Sequence, residues 1–402
     1  MKKQRPKIIN EKLSSIWRKE KLNNIAPLRG GFAFKSEEFQ DSGIPIVRIS
    51  NIKFDGTVGG EFEYYSKINP DEKFVLRGRS ILLAMSGATT GKIAMLDSEK
   101  EYYQNQRVGY FQNTGAVDYD FLSFILQTKE FTNQLNSVLV AGAQPNISSK
   151  EIDSFVFYIP ESLDEQSAIG SLFRTLDDLL SSYKDNLTNY QSLKATMLAK
   201  MFPKAGQTVP EIRLDGFEGE WKKLKLRDVV HTNPKSELPE NFKYIDLESV
   251  VGTRIDKIRE ESKESAPSRA QRLAKKGDVF YQTVRPYQKN NYLFKLDEID
   301  YVFSTGYAQL RPIYKNCDSD FLLILLQNNR FLNKVLDRCT GTSYPAINVN
   351  DLIEILIAIP SYEEQQVIGA YFSNLDNLIN SHQEKISQLE TLKKKLLQDM
   401  FI

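Results

Sequence analysis

A long amphipathic segment occurs twice in this chain, at residues 165–202 and again at 364–401. At a constant offset of 199, Glu165, Gln166, Ile169, Gly170, Phe173, Leu176, Asp177, Leu193, Leu198, Met201 and Phe202 meet identical residues. Their counterparts are Glu364, Gln365, Ile368, Gly369, Phe372, Leu375, Asp376, Leu392, Leu397, Met400 and Phe401. A tandem repeat constrains the fold first, because each half must be built on the same plan. Apolar residues in the first copy fall at 169, 172, 176, 179, 183, 187, 190, 193, 197 and 201, steps of three and four that predict a helix with one apolar seam. The second copy keeps the seam, with His382 and Leu389 in place of Tyr183 and Tyr190. No proline interrupts either copy, while Pro160, Pro360 and Pro203 stand at the expected boundaries.

At about 1.5 Å per residue each helix is roughly 57 Å long, too long to stand alone in water. Its seam needs a partner, and the nearest is the other copy. An antiparallel pair would bury both seams and place the preceding domains at opposite ends of a rod, related by an approximate two-fold axis. A dimerisation coiled coil or a plain spacer accounts equally well for the helices taken alone.

The repeat extends backwards. LSFILQTKEF (122–131) matches LLILLQNNRF (322–331), pairing Gln127 with Gln327 and Phe131 with Phe331. Residues 143–160 match 343–360, pairing Pro145 with Pro345 and Ile147 with Ile347, and Trp17 and Leu22 face Trp221 and Leu226. Between these landmarks the halves diverge almost completely. Short strand-like runs at 44–50, 80–85 and 155–160, with counterparts at 243–250, 278–284 and 354–360, alternate with Gly- and Asn-rich turns. The apolar runs at 121–126 and 321–326 predict a short helix in each half. The fold class expected is therefore α+β: two mixed α/β domains separated by two long antiparallel α-helices forming a coiled coil, a pseudo-two-fold tandem repeat. The boundaries are a first domain at 1–160, a helical spacer at 161–203, a Gly- and Pro-rich linker at 204–219, a second domain at 220–360 and a second helical spacer at 361–402.

Composition excludes several classes of function. Apolar content of 41% with 26% charged residues is that of an ordinary soluble protein, and no apolar run of signal-peptide or membrane-spanning length is present, so a cytoplasmic chain is expected. Cys317, Cys339, His231 and His382 are the only cysteines and histidines, which gives poor support to a metal site, a disulfide framework or a histidine-based triad. A net charge of +1 means that any nucleic-acid surface must be local. The clearest stretch is 272–289, where Arg272, Lys275, Lys276, Arg285 and Lys289 stand against Asp278 alone.

MSGATTGKI (85–93) invites a phosphate-loop reading and fails it. Gly87 and Gly91 enclose three residues rather than four, and Ile93 occupies the place of the magnesium-binding hydroxyl. A polar loop at a strand end that meets DNA is the better reading, with Ser86, Thr89, Thr90 and Lys92 as contacts; an ordinary hairpin is the structural alternative. Its counterpart QTVRPYQKNN (282–291) agrees in position and differs in chemistry, offering Thr283, Arg285, Tyr287, Lys289 and Asn290. Such a swap suits two readers of different bases, since Arg pairs with guanine and Asn or Gln with adenine. Arg285 is the leading candidate of this half. Further candidates are Lys35, Arg48, Ser50 and Asn51; Gln104, Asn105 and Arg107; and Gln144 and Asn146. Ser304, Thr305, Tyr344 and Asn348 are their analogues in the second half. For each, a satisfied turn network is the structural alternative. Catalytic signatures are missing: there is no Asp/Asn-Pro-Pro-aromatic tetrapeptide of amino-methyltransferases, no complete phosphate loop and no HExxH, and Asp177 with Asp178 suits a solvated helix face.

The order of domain, helix, domain, helix, with GFAFKSEEFQDSGIPIVRISNI, LLAMSGATTGK, NQRVG, AQPNISSKEI, the Ile-Pro ahead of the Glu-Gln of each helix, and DGFEGEW after the linker, resembles the specificity (S) subunits of type I restriction–modification enzymes. The resemblance covers essentially the whole chain. It implies that 1–160 and 210–360 are target recognition domains, each reading one half of a bipartite, asymmetric double-stranded DNA site, and that the helices space them and dock partners. Those partners would be two modification (methyltransferase) subunits and the restriction (ATP-dependent translocase/nuclease) subunits. S-adenosylmethionine and ATP would belong to these subunits, so no cofactor is expected on this chain, which would be a non-catalytic part of a DNA methylation complex. A rod of roughly 57 Å spans about one and a half turns of B-DNA, enough to leave an unread gap between half-sites. The alternative function is a non-catalytic coiled-coil adaptor with two interaction modules; an enzyme such as a nucleotide hydrolase is opposed by the broken loop at 87–93.

Overall fold

The computed structural model describes residues 16–139, 146–341 and 343–401. They form two compact units. One comprises the chain up to Tyr183 together with the segment from Lys385; the other is Lys184–Glu384. Each unit therefore takes its globular part, the first half of the helix that follows it in sequence, and the second half of the other long helix.

In the first unit the strands Leu28–Arg29, Val108–Phe111, Ser80–Ala84 and Ile93–Leu96 lie side by side in that order, all antiparallel. A second sheet runs Glu63–Tyr65, Ile44–Val47, Tyr102–Gln104, Val75–Leu76, with its two central strands parallel. Trp17–Lys21 pairs antiparallel with Val156–Pro160 and ties the start of the described chain to the strand that leads into the long helix. Helix α1, Tyr119–Ile125, begins on Asp118, whose Oδ1 accepts the Phe121 amide at 2.8 Å. Helix α2, Leu163–Lys200, follows Pro160. The Gln166 side chain joins these two starts, with Oε1 accepting the Asp118 amide at 2.8 Å and Nε2 donating to the Pro160 carbonyl at 2.8 Å.

The second unit repeats this plan and adds a two-stranded hairpin, Val250–Val251 with Arg254–Ile255. Its sheets run Val230–Thr232, Tyr307–Pro312, Val279–Gln282, Tyr292–Leu293, and Arg259–Ser262, Asn241–Ile245, Tyr301–Ser304, Ala270–Leu273, again with a parallel central pair in the latter. Lys222–Lys225 pairs with Leu356–Ile359. Helix α3, Ser319–Gln327, is capped by Asp318, and helix α4, Tyr362–Met400, is fixed by Gln365 through the Asp318 amide at 2.9 Å and the Pro360 carbonyl at 3.1 Å. The expected α+β fold, with two mixed domains, two long helices and a tandem repeat, is what the chain adopts.

Inside each unit the helix halves run antiparallel. In the first, Phe173 meets Phe401 with rings 5.8 Å apart while Asp177 meets Lys393 at 2.6 Å. In the second, Asp376 meets Lys194 at 2.5 Å and His382 meets Tyr190, ring centroids 5.2 Å apart. The apolar seam is used as its period predicts: Ile169, Phe173 and Leu176 join the core of the first unit with Met400, and Ile368, Phe372 and Leu375 join the second with Met201 and Phe202.

Residues 204–219, which read as a linker, are packed within the second unit. The Lys200 carbonyl accepts the amides of Glu211 and Ile212, and the Trp221 amide donates to the Thr208 carbonyl at 2.8 Å. Arg213 reaches Glu364 with two hydrogen bonds, at 2.8 and 2.6 Å. Composition read this stretch as a spacer because Gly and Pro set backbone freedom, while its docking depends on the apolar and charged residues between them. Among the described residues, no helix is long and apolar enough to cross a membrane.

Candidate nucleic-acid interface

Inner strands of the two sheets of the first unit lead into three polar loops. After Ser80–Ala84 the chain turns through a short 3-10 segment, Gly87–Thr89, and returns at Ile93. Backbone bonds hold this loop to its neighbours: the Met85 amide donates to the Arg107 carbonyl and the Ile147 amide to the Met85 carbonyl, each at 2.9 Å, and Ser86 bridges Asn146. Thr89 donates its hydroxyl to the Ile49 carbonyl at 3.4 Å, and Thr90 donates to the Gly87 carbonyl at 2.6 Å. Ser86, Thr89, Thr90, Lys92, the 48–51 turn, Asn105–Arg107 and Asn146 are thus one assembly. Gln144 lies outside the described residues.

Within that assembly the candidates divide by exposure. Ser50, Arg107 and Asn146 are exposed and Asn105 is partly so. Arg48 pairs with Glu63 at 3.3 Å, and Lys35 with Glu38 at 3.1 Å. Asn51 and Gln104 are consumed by the fold. Asn51 accepts the Arg48 amide and donates to the carbonyls of Gly59 and Glu61, while Gln104, 0% exposed, donates to the carbonyls of Arg29 and Val108. With every amide group spent internally, both side chains hold the neighbouring loops in place. Lys92 has a buried ammonium with no hydrogen-bond partner among the described residues, lying on the face of Phe54, and loss of hydration lowers its pKa. Phe54 is 89% exposed and was not singled out in the sequence. Its signal there is only an aromatic in the Lys-Phe-Asp-Gly turn, a place where apolar residues are hard to bury.

The second unit gathers the corresponding loops. Val279–Gln282 leads into a turn whose 3-10 segment is Pro286–Gln288. The Arg285 amide donates to the Pro345 carbonyl at 2.7 Å and the Ile347 amide to the Thr283 carbonyl at 3.0 Å, so residues 283–290 and 344–348 lie together. Thr283 and Ser304 are buried and bonded to the backbone of Gly306, and Thr305 donates its amide to the Arg269 carbonyl. Lys289 spends its ammonium on the Gln327 carbonyl and the Asn329 side chain, and burial, with Lys194 nearby, lowers its pKa. Asn290 accepts the Gly252 amide at 2.9 Å and Asn348 caps a short helix. The outward groups are Tyr287, 50% exposed, and Tyr344, 64% exposed, with the Arg285 guanidinium 4.2 Å above the Tyr344 ring.

Each unit therefore presents short polar loops, an aromatic surface and one or two cations at the same place in its topology, with unlike side chains. Such surfaces make hydrogen bonds to base edges and phosphates. Among the described residues no group of three or more His, Cys, Asp and Glu side chains could hold a metal ion.

Comparison with known proteins bears on both halves. The family described as the type I restriction modification DNA specificity domain matches residues 15–190 and again 218–391. The specificity subunit of the type I restriction enzyme MjaVIII from Methanocaldococcus jannaschii is 24% identical over 345 residues, covering 81% of this chain and 79% of that protein. The EcoBI specificity subunit of Escherichia coli is 20% identical over 407 residues, 93% of this chain and 83% of the relative. The crystal structure of an S subunit of a type I restriction-modification system from M. genitalium superposes with a TM-score of 0.64 at 15% identity, over 99% of both chains.

Proposed function

We propose, from the premise that this chain belongs to the type I restriction modification DNA specificity family in both of its halves, that it is the DNA-recognition subunit of a type I restriction–modification system. The observation that carries the reading is one scaffold built twice with unlike loops at the same position: Ser86–Lys92 in one unit and Val284–Asn290 in the other. Two readers of equal geometry and unequal chemistry suit an asymmetric site of two half-sequences. We assign residues 1–160 and 220–360 to the two target recognition domains, and assign DNA contact to the exposed Ser50, Arg107 and Asn146 in the first and to the exposed Tyr287 and Tyr344 with the half-buried Arg285 in the second.

The long helices leave apolar side chains exposed, Leu172, Leu179 and Leu392 on the first unit and Leu193, Val367 and Leu378 on the second. Surfaces of this kind suit protein partners, and in this reading they take the modification subunits, one on each repeat. The chain itself does no chemistry; methyl transfer and ATP hydrolysis belong to its partners, in the cytoplasm. An adaptor without DNA recognition has no use for two unlike sets of polar loops.

The test is to map methylated bases in the host genome with and without this gene, and with residues 210–360 exchanged for those of another specificity subunit. The expected result is a split methylated sequence that vanishes without the gene and changes in one half after the exchange. Methylation that persists unchanged without the gene, or an exchange that alters both halves, refutes the assignment.

A further inference from the structure

The two reading loops can be superimposed residue by residue from their backbone bonds. The Met85 carbonyl accepts the Ile147 amide as the Thr283 carbonyl accepts the Ile347 amide, so Met85 corresponds to Thr283. Two residues on, Gly87 has φ +77° and Arg285 has φ +53°; six residues on, Gly91 has φ +86° and Lys289 has φ +54°. The scaffold demands a left-handed residue at both points. The first unit meets the demand with glycine, which adopts that region at little cost, whereas the second places two long cationic side chains there, which are strained in it. Arg285 is strained further because Pro286 follows it and restricts its backbone.

For Lys289 the fold supplies a reason, since its ammonium ties the loop to the Gln327 carbonyl and to Asn329. For Arg285 it supplies none. Its guanidinium makes no hydrogen bond or ion pair within the described residues, and it lies over the ring of the exposed Tyr344, 4.2 Å from the centroid. A guanidinium held over an aromatic face is restrained in orientation while its N–H groups stay free. That is the arrangement a bidentate contact to guanine O6 and N7 requires, whereas a phosphate contact needs only charge.

We propose that Arg285, oriented by Tyr344, is the residue of the second recognition domain that selects a guanine in its half-site. This rests on the DNA-recognition reading above. Strain that glycine would relieve is retained here for the side chain's sake.

The experiment compares the unaltered full chain with Arg285→Gly, Arg285→Lys and Tyr344→Ala, each expressed with the modification subunit of its own system. Methylated bases are mapped genome-wide, and thermal unfolding of each purified chain is measured. The unaltered chain gives a two-part methylated sequence. Arg285→Gly makes one guanine in one half degenerate, lowering the preference for it by about 10- to 100-fold while the other half is unchanged, and does not lower the unfolding temperature. Arg285→Lys keeps a reduced preference, and Tyr344→Ala weakens it at the same base. An unchanged methylated sequence in Arg285→Gly overturns the proposal. So does a uniform fall in methylation with no base relaxed, which marks a phosphate contact, or a lowered unfolding temperature, which marks a structural side chain. If the unaltered chain directs no sequence-defined methylation, the recognition reading fails and this inference with it.

Discussion

Arg213 holds Glu364 by two parallel hydrogen bonds, Nε to Oε1 at 2.8 Å and Nη2 to Oε2 at 2.6 Å, with the carboxylate 1% exposed. In the other unit the corresponding Glu165 accepts the indole N–H of Trp17 at 3.1 Å, while the indole N–H of Trp221, the counterpart of Trp17, has no partner among the described residues. One repeated acid at the start of a long helix is thus satisfied in two different ways. The arginine comes from the segment that joins the halves in sequence.

Arg213→Ala leaves a buried charge without its partner and is expected to destabilise the second unit by roughly 3–5 kcal/mol. Adding Glu364→Gln should recover a large part of that loss, because the buried group is then neutral. Urea unfolding of both variants checks this; a single variant within about 0.5 kcal/mol of the parent would refute it.

Phe202 packs on Trp221, Phe321 and Phe372 at 5.6, 5.8 and 6.4 Å, and Phe401 packs on Trp17, Phe121 and Phe173 at 6.4, 5.5 and 5.8 Å. Phe202 is 4% exposed and Phe401 only partly buried. Phe202→Ala should therefore cost about 3–5 kcal/mol and Phe401→Ala less, the order being read from thermal unfolding.

A Cβ added to Gly170 would stand 2.7 Å from the Phe121 amide nitrogen and 2.9 Å from Asp118 Oδ1; at Gly369 the distances are 2.8 Å to the Phe321 nitrogen and 2.9 Å to Asp318 Oδ1. Alanine improves helix propensity by about 1 kcal/mol, and backbone that cannot yield costs about 1–3 kcal/mol. The expected sign of both Gly170→Ala and Gly369→Ala is destabilising. Melting followed by circular dichroism decides it, and a raised midpoint would show that α1 and α3 can retreat.

Gln104 and Arg107 separate structure from recognition. Gln104→Ala strands the Arg29 and Val108 carbonyls and should cost about 1–3 kcal/mol without changing the methylated sequence. Arg107→Ala, at an exposed position, should stay within about 0.5 kcal/mol of the parent in stability and lower methylation. The opposite assignment would show that the loop is read through its strand.

The candidate site was only partly visible in the chain. Asn51, Gln104, Thr283 and Ser304 share composition with their exposed neighbours Ser50, Arg107 and Tyr287, and no local rule distinguishes a polar side chain that faces a carbonyl from one that faces solvent. Exposure at single positions is set by which strand lies across the sheet, a long-range property. The strain at Arg285 was equally hidden, because an arginine does not announce a left-handed backbone as the glycine at position 87 does.

What the sequence determined by itself is periodic and local: the helices Leu163–Lys200 and Tyr362–Met400, their proline boundaries, the small residues at 170 and 369, and the fact of duplication. Such features depend on neighbours three or four residues apart and are written in the order of side chains. The tertiary structure alone decided that the diverged interiors share one strand order, that the segment after Pro203 is docked by Arg213, and that each helix end closes the core of the unit built on the other repeat. Those outcomes turn on contacts between residues distant in sequence, from Ile81 with Phe111 to Arg213 with Glu364, where many sequences satisfy the same backbone and packing selects the pairing.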